Sequence, residues 1–224
     1  AFPTETVYGL GANAFSDEAV QKIYVAKGRP SDNPLIVHIS SENQLNEIAT
    51  NVPDYAKTLI KSFWPGPLTL VLRKKGGLST LVTAGLDTVA VRMPDHPLAL
   101  ALIKEAGVPV AAPSANRSGK PSPTRAEHVL NDLDGKIAGI VNGGPTGVGL
   151  ESTVLDCSGA KPVILRPGGI TKEQLESVIG QVDVDPALIE ADSTPKSPGM
   201  KYTHYAPNAP LVVVDGSSMF IQSL

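Results

Sequence analysis

Short apolar segments alternate with helical segments along most of the chain, and this alternation limits the folds that the chain can adopt. Segments with the length and apolar character of buried strands occupy residues 35–39, 68–72, 88–92, 108–112, 138–141, 153–156 and 162–165. Helical patterns lie between them at residues 16–27, 42–48, 54–63, 97–106 and 171–179. This order predicts an α/β fold in which helices flank a mixed sheet, with ligands gathering where loops leave the strand ends.

Capping signals mark the ends of several helices. Ser16 is a suitable N-cap residue, and Gly28 suits the left-handed residue that closes a helix. A hydroxyl residue followed three positions later by Glu or Gln forms a capping box, which predicts helix starts at Thr124 and at Thr171. The first helix is therefore expected to end at Lys27.

The composition argues against several classes of function. The net charge is −3, so the chain lacks the basic balance that drives sequence-independent binding to nucleic acids. The single cysteine, Cys157, argues against a disulfide framework or a multi-cysteine metal site, and it suits a reducing compartment. No run approaches the ~18 apolar residues of a membrane span. We therefore expect a cytoplasmic protein that does not cross a membrane.

The sequence indicates two domains joined by a linker. Residues 1–180 form the first domain, whose N-terminal segment we expect to be missing because the chain starts abruptly in what looks like the tail of a strand. Residues 181–210 become acidic and then rich in proline, which is typical of a linker. We expect this linker to act as a lid over bound ligands, and residues 211–224 to be the truncated start of a small α/β domain.

Residues 26–39 concentrate groups that hold anions. Lys27 and Arg29 leave the end of the first helix together, and Asn33 and His38 follow within a dozen residues. Taken alone, cations at this position are also typical of a solvated helix C-terminus, where the helix dipole stabilises them. His38 by itself also fits a hydrogen-bonded core histidine.

Further polar residues follow predicted strands or lie in loops, among them Arg92, Ser114, Asn116 and Arg166. Several arginines at strand ends favour a polyanionic ligand, although surface ion pairs are the alternative for each arginine alone. The glycine-rich loop at residues 142–152 contains neither the Walker lysine nor the dinucleotide-binding fingerprint. A nucleotide would therefore bind by some other arrangement.

Five motifs resemble the signatures of the YrdC-like family in its two-domain form. They are PTETVYGL at residues 3–10, KGR at 27–29, NPL at 33–35, PSAN at 113–116 and SPGMKY at 197–202. The resemblance implies a twisted sheet of parallel and antiparallel strands with a concave, positively charged face. It also implies a nucleotidyltransferase that condenses L-threonine, bicarbonate and ATP into L-threonylcarbamoyl-AMP with release of pyrophosphate, for threonylcarbamoyladenosine modification of tRNA.

The resemblance also implies a set of site residues. The catalytic residues would be Lys27 and Arg29. The residues implied for ATP are Lys27, Arg29, Asn33, Thr88, Ser114, Asn116, Ser122, Arg166 and Tyr205. Those implied for L-threonine are Thr6, His38, Arg92, Ala112 and Ser152. Magnesium would accompany ATP without ligands from protein side chains, and the product would pass to a tRNA threonylcarbamoyl transferase complex, with no stable nucleic-acid partner expected.

Two alternatives come from other features of the sequence. Two groups of cations suggest an RNA-binding module acting in translation or ribosome assembly: Arg117, Lys120 and Arg125 beside the PSAN motif, and the run Arg73, Lys74 and Lys75. Aromatic residues make up only 4% of the chain, however, which argues against a broad stacking platform for bases. A carbamoyl-transferring relative used in hydrogenase maturation shares the YrdC-like domain, but the linker motif and the lack of zinc-finger cysteines argue against it.

Overall fold

One nine-stranded sheet organises residues 1–188, the part of the chain that the computed structural model describes. Its strands are β1 (Ala12–Asn13), β2 (Ile36–His38), β3 (Ala49–Thr50), β4 (Leu68–Lys74), β5 (Thr88–Arg92), β6 (Val110–Ala111), β7 (Thr153–Asp156), β8 (Val163–Arg166) and β9 (Asp183–Val184). The helices are α1 (Asp17–Lys27), α2 (Glu42–Ile48), α3 (Asp54–Phe63), α4 (Thr80–Thr83), α5 (Pro97–Ala106), α6 (Ala126–Leu133) and α7 (Lys172–Ile179), followed by a 3₁₀ turn at Pro186–Leu188.

The sheet is mixed, as the sequence predicts. Its strand order is β1-β6-β2-β5-β4-β7-β8-β9, with β3 pairing separately with β4. The pairs β2–β5, β4–β7 and β8–β9 are parallel, and the other pairs are antiparallel. The α/β fold with a parallel and antiparallel sheet is therefore confirmed.

The register brings the polar strand ends to one end of the sheet. His38 at the end of β2 lies opposite Arg92 at the end of β5. Because β4 runs antiparallel to β5, its first residue, Leu68, lies at this end and faces Thr153, the first residue of β7. Strand β8 runs antiparallel to β7 and places Arg166 beside the start of β7. Residues far apart in the sequence thus lie together at one end of the sheet.

The two faces of the sheet bury different clusters. The larger core contains Val37, Leu70 and Val91, none of which is exposed. Successive strand residues point to opposite faces, so His38 and Arg92 point away from this core. The smaller core on the opposite face includes Phe2 and Val110 and packs against α5.

Capping explains where the helices begin and end. The Ser16 hydroxyl accepts a hydrogen bond from the Ala19 amide at 3.2 Å, and Gly28 closes α1 with a φ of 61°. The capping box of Thr171 with Gln174 forms at the start of α7. These ends are confirmed, and they fix where Lys27 leaves α1.

Two predicted elements are wrong. Helix α6 begins one residue after Arg125, with no side-chain cap, so the capping box of Thr124 does not form. Residues 138–141 are not a strand, and their backbone contacts the start of the chain: the Val141 amide donates to the Ala1 carbonyl at 2.9 Å, and the Ala1 amine donates to the Gly139 carbonyl at 2.7 Å. Both predictions depended on local sequence, whereas residues 138–141 are held by contacts with residue 1 that local sequence does not encode.

The sheet continues past residue 180 through β9, which pairs with β8. The rest of the predicted linker, including Tyr205 and the proposed lid, and the predicted start of a second domain lie outside the described residues. Within residues 1–188, no helix combines the length and the apolar character needed to cross a membrane.

Gly168 is a position where the fold requires glycine. A Cβ atom there would lie 2.4 Å from backbone atoms of Glu151, Ser152 and Thr153, which is closer than real contacts allow. We expect Gly168→Ala to lower the free energy of unfolding by about 1–3 kcal/mol through overpacking, measured by urea denaturation. Gly159→Ala is the matched control, because nothing lies within 4 Å of its added Cβ. Equal stability of the two variants would contradict this expectation.

Candidate functional site

A cleft at this end of the sheet collects most of the residues that the resemblance singles out. The residues that line it are Thr4, Thr6, Val7, Gly9, Lys27, Arg29, Pro34, Leu35, Ile36, His38, Arg92, Ala112, Pro113, Ser114, Asn116, Ser118, Gly119, Glu151, Ser152 and Arg166. Four of these side chains are lysine or arginine, and one, Glu151, is a carboxylate. The cleft therefore has an excess of positive charge, which suits an anionic ligand.

Arg92 is the most deeply embedded cation of the cleft, with a relative exposure of 3%. Its Nη1 donates to the Thr6 hydroxyl at 2.9 Å, and its Nε donates to the Gly66 carbonyl at 3.2 Å. Its Nη2 lies 2.6 Å from a carboxylate oxygen of Glu5. Burial lowers the pKa of Arg92, while the Glu5 carboxylate acts in the opposite direction. The guanidinium is thus oriented from three sides before any ligand arrives.

The loop after Phe2 is ordered by its own hydroxyl groups. The Thr4 hydroxyl donates to the Val7 carbonyl at 2.7 Å and accepts hydrogen bonds from the amides of Thr6 and Val7. The hydroxyls of Thr4 and Thr6 are 2.9 Å apart. Gly9 then lets the loop pass close to Ala112, because a Cβ at Gly9 would lie 3.3 Å from the Ala112 Cβ. This packing holds the Thr6 hydroxyl in front of Arg92.

His38 is buried as a neutral imidazole. Burial, followed by the nearby Arg92 charge, lowers the pKa of His38 to about 3. Its ring meets the Phe2 ring edge-on, with centroids 6.0 Å apart. Within residues 1–188, the His38 Nδ1 has no hydrogen-bond partner. A buried polar atom without a partner at a cleft wall is a candidate contact for a ligand group.

Lys27 is buried at the end of α1, and its ammonium contacts the loop that contains the PSAN motif. It donates to the Asn116 carbonyl at 2.7 Å and also contacts the Ser114 carbonyl. Burial, followed by the nearby Arg29 charge, lowers the pKa of Lys27 to about 7. The resemblance implies a phosphate contact for Lys27, but in this structure its ammonium is held by the protein.

Arg29 and Asn33 lie on the segment between α1 and β2. Arg29 is half-buried, and its Nη2 lies 3.2 Å from the carbonyls of Asn33 and Pro34. Asn33 is buried, and neither its amide nitrogen nor its amide oxygen has a partner among residues 1–188. Asn33 does not itself line the cleft, although its neighbour Pro34 does.

Ser152 and Arg166 meet where β7 and β8 pair. Arg166 donates to the Ser152 carbonyl through Nη2 at 2.8 Å and through Nε at 3.1 Å. The Ser152 hydroxyl lies 2.7 Å from the Thr69 hydroxyl and accepts from the Arg166 Nη2 at 3.2 Å. Gly168 permits this arrangement, since its backbone passes directly over residues 151–153.

Four implied ATP residues lie outside the lining set: Asn33, which is described above, Ser122, Thr88 and Tyr205. Ser122 contacts a lining residue, because its hydroxyl donates to the Glu151 carboxylate at 2.5 Å and Glu151 lines the cleft. Thr88 shares a sheet face with Arg92 but lies at the other end of β5, roughly 13 Å away for four strand residues. Tyr205 lies outside the described residues. The roles of all four residues stay predictions.

Two acidic residues of the site were not singled out from the sequence. Glu5 pairs with Arg92, and Glu151 lines the cleft beside Ser152. Glu5 lies within the PTET motif, so its position there was the available signal. For Glu151, the sequence offered no signal other than its position directly before Ser152.

The cations that suggested an RNA-binding module are partly neutralised within the protein. The Lys120 ammonium lies 2.6 Å from an Asp132 carboxylate oxygen. The exposed Arg73 is paired with Asp87. These pairs weaken the case for a basic surface that binds RNA.

Comparison with known proteins assigns almost the whole chain to two family models. Residues 1–168 match the Sua5–YciO–YrdC model, described as "Telomere recombination", and residues 170–223 match a model described as "Threonylcarbamoyl-AMP synthase, C-terminal domain". The threonylcarbamoyl-AMP synthase of Bacillus subtilis is 68% identical over 100% of this chain and 65% of the relative. That of Pyrococcus abyssi is 57% identical over 96% of this chain and 64% of the relative.

A solved structure of a relative is also similar to this chain over its whole length. A crystal structure of P. abyssi Sua5 complexed with L-threonine superposes with a TM-score of 0.94 at 55% identity, covering 100% of this chain and 66% of that chain. The chain thus spans about two thirds of the length of these relatives.

The neutral state of His38 predicts how stability depends on pH. His38 has a pKa of about 3 in the folded state and 6.5 in the unfolded state. Between these pH values the unfolded state binds more protons than the folded state. The free energy of unfolding therefore falls as the pH decreases from 6.5. We expect the difference in unfolding free energy between wild type and His38→Gln to shift in favour of the variant by about 2 kcal/mol between pH 7 and pH 4.5. Urea denaturation at both values measures this shift, with the exposed His128→Gln as matched control. A pH-independent difference would contradict the expectation.

Proposed function

Because the chain belongs to the Sua5–YciO–YrdC family, we propose that it condenses L-threonine, bicarbonate and ATP into L-threonylcarbamoyl-AMP with release of pyrophosphate. The observation that supports this proposal is the cleft itself. Lys27, Arg29, Arg92 and Arg166 surround hydroxyl and amide groups that arise from three separate loops. A reaction that brings a carboxylate, a bicarbonate-derived anion and a triphosphate together needs such a concentration of cations.

L-threonine would bind against Arg92 and the groups around it. The Arg92 guanidinium is already oriented by Thr6, Gly66 and Glu5, so it can present its remaining N–H groups to a carboxylate with little rearrangement. The neutral His38 imidazole can exchange a hydrogen bond with an uncharged hydroxyl without adding charge. Ala112 and Ser152 would complete the threonine pocket.

The chemistry requires no covalent intermediate with the protein. Once its ammonium form has lost a proton, the threonine amine attacks the bicarbonate carbon, giving a carbamate with loss of water. A carbamate oxygen then attacks the α-phosphorus of ATP, the bond to the bridging oxygen breaks, and pyrophosphate leaves. The protein's part is to hold two mutually repelling anions in line and to stabilise the charge that develops on the phosphates.

Arg29 with Ser114 and Asn116 would face the nucleotide phosphates, and Arg166 would extend the positive surface on the other side of the cleft. Magnesium would arrive as part of the ATP substrate. Since four of the five charged lining side chains are cationic, the phosphate oxygens would hold the ion. The product would serve threonylcarbamoyladenosine modification of tRNA in the cytoplasm, through a transferase complex that accepts this labile anhydride.

The proposal predicts a strict dependence on three substrates. We expect the chain to release pyrophosphate from ATP only when L-threonine and bicarbonate are both present, with label from L-threonine appearing in an adenylate. Coupled pyrophosphate detection and chromatography of the labelled product measure this. Pyrophosphate released without L-threonine, or no adenylate under any condition, would contradict the proposed function.

Arg29 should contribute mainly to the rate of adenylate formation. We expect Arg29→Ala to lower the rate by about 10²–10³-fold, because a donor directed at developing charge is worth this much. The variant should remain folded, since Arg29 is only half-buried. Arg73→Ala is the matched control, because Arg73 pairs with Asp87 at the far end of β4. Arg29→Ala retaining more than half of the wild-type rate would remove Arg29 from the site.

A further inference from the structure

The Lys27 ammonium is surrounded by oxygen atoms of a single loop. Lys27 has a relative exposure of 4%, although lysine is rarely buried. Its Nζ contacts the Ser114 carbonyl, the Asn116 carbonyl at 2.7 Å and the Asn116 amide oxygen at 3.4 Å. An ammonium has three N–H donors, so each donor has an oxygen within reach. In this conformation no donor is left for a phosphate.

The same loop is tied to Lys27 a second time, through the backbone. The Ser118 amide donates to the Lys27 carbonyl at 2.9 Å. The Asn116 amide nitrogen donates to the carbonyls of Arg117 at 2.9 Å and Lys120 at 2.7 Å, which folds residues 116–120 back on themselves. Lys27 is therefore the point where the end of α1 joins residues 114–120, which we call the PSAN loop.

We propose that Lys27 is a positioning residue, whose ammonium holds the PSAN loop against the end of α1 so that Ser114 and Asn116 face the cleft. It acts through the loop and not as a hydrogen-bond donor to the phosphates. The other cation of the motif, Arg29, contacts a different segment, because its Nη2 donates to the carbonyls of residues 33 and 34. Burial lowers the pKa of Lys27 to about 7, and this desolvation is offset by the three loop oxygens.

The PSAN loop contains a trypsin cleavage site that can report how firmly the loop is held. Arg117 and Ser118 are exposed, so trypsin can cut between them once the loop opens. Lys120 precedes Pro121, a bond that trypsin does not readily cut. Cleavage after Arg117 in the ligand-free full chain, followed by mass spectrometry, therefore measures how firmly the loop is held. Cleavage after Lys61 in α3 serves as the internal reference for general unfolding.

Three variants separate the possible roles of the motif. Lys27→Met removes the ammonium but keeps a long, unbranched side chain. Lys27→Arg keeps the positive charge, but its planar guanidinium cannot direct one donor to each of three converging oxygens. Arg29→Met is the matched control, because it removes the other cation of the motif and leaves the contacts of Lys27 in place.

We expect cleavage after Arg117 to accelerate on the order of tenfold in Lys27→Met, because this variant loses a charge-assisted hydrogen bond to the loop. In Arg29→Met, the rate of this cleavage should remain within about twofold of wild type. Cleavage after Lys61 should not change in either variant. Lys27→Arg should also be cut faster than wild type although its charge is retained. Should Lys27→Met fail to fold, Lys27→Arg takes its place in the same comparison.

The kinetic counterpart rests on the proposed function. Lys27→Met should raise the KM for ATP while leaving the KM for L-threonine near the wild-type value, and saturating ATP should slow the cleavage after Arg117 by ordering the loop. Cleavage after Arg117 at the wild-type rate in Lys27→Met would overturn the proposal. A wild-type chain that made no adenylate would refute the proposed function, whereas the proteolysis result, which needs no substrate, would still decide the role of Lys27.

Discussion

The buried ion pair between Glu5 and Arg92 is the interaction on which the geometry of the cleft depends. It joins the PTET motif to the end of β5, and the same guanidinium reaches Thr6 and the carbonyl of Gly66. Removing one partner of such a pair leaves an uncompensated buried charge, which costs about 3–5 kcal/mol. The loop, the strand end and the turn before β4 are therefore held to one another by a contact that is also part of the candidate binding surface.

The strand order explains why such a contact can form. Parallel pairing of β2 with β5 and of β4 with β7, with antiparallel pairing between β5 and β4, brings the ends of β2 and β5 beside the starts of β4 and β7. His38, Arg92 and Ser152 meet there from three separate stretches of the chain. A cluster of cations repels itself, so it persists because each member has protein oxygens: Glu5 for Arg92, the PSAN loop for Lys27, and Ser152 for Arg166.

The candidate site has an excess of cations and yet carries buried polar atoms without hydrogen-bond partners in residues 1–188. These are the His38 Nδ1 in the cleft lining and, beside the lining residue Pro34, the amide nitrogen and oxygen of the Asn33 side chain. A buried polar atom left without a partner destabilises the fold by about 1–3 kcal/mol. Such atoms at a cleft are expected where ligand groups complete the hydrogen bonding, and their cost is part of what ligand binding recovers.

Sequence by itself determined the local elements. The ends of α1 at Ser16 and Gly28 and the capping box at Thr171 are encoded within a few residues. The KGR motif also predicts an anion-binding segment from sequence alone, which stays a prediction. Tertiary structure alone decided that Arg92 meets Thr6 across 86 residues and that Lys27 meets Ser114 across 87. It also decided that residues 138–141 meet the chain's first residue without forming a strand. The physical reason is that capping and turn formation depend on neighbouring residues, whereas strand order, register and the partners of buried charges depend on the packing of the whole domain.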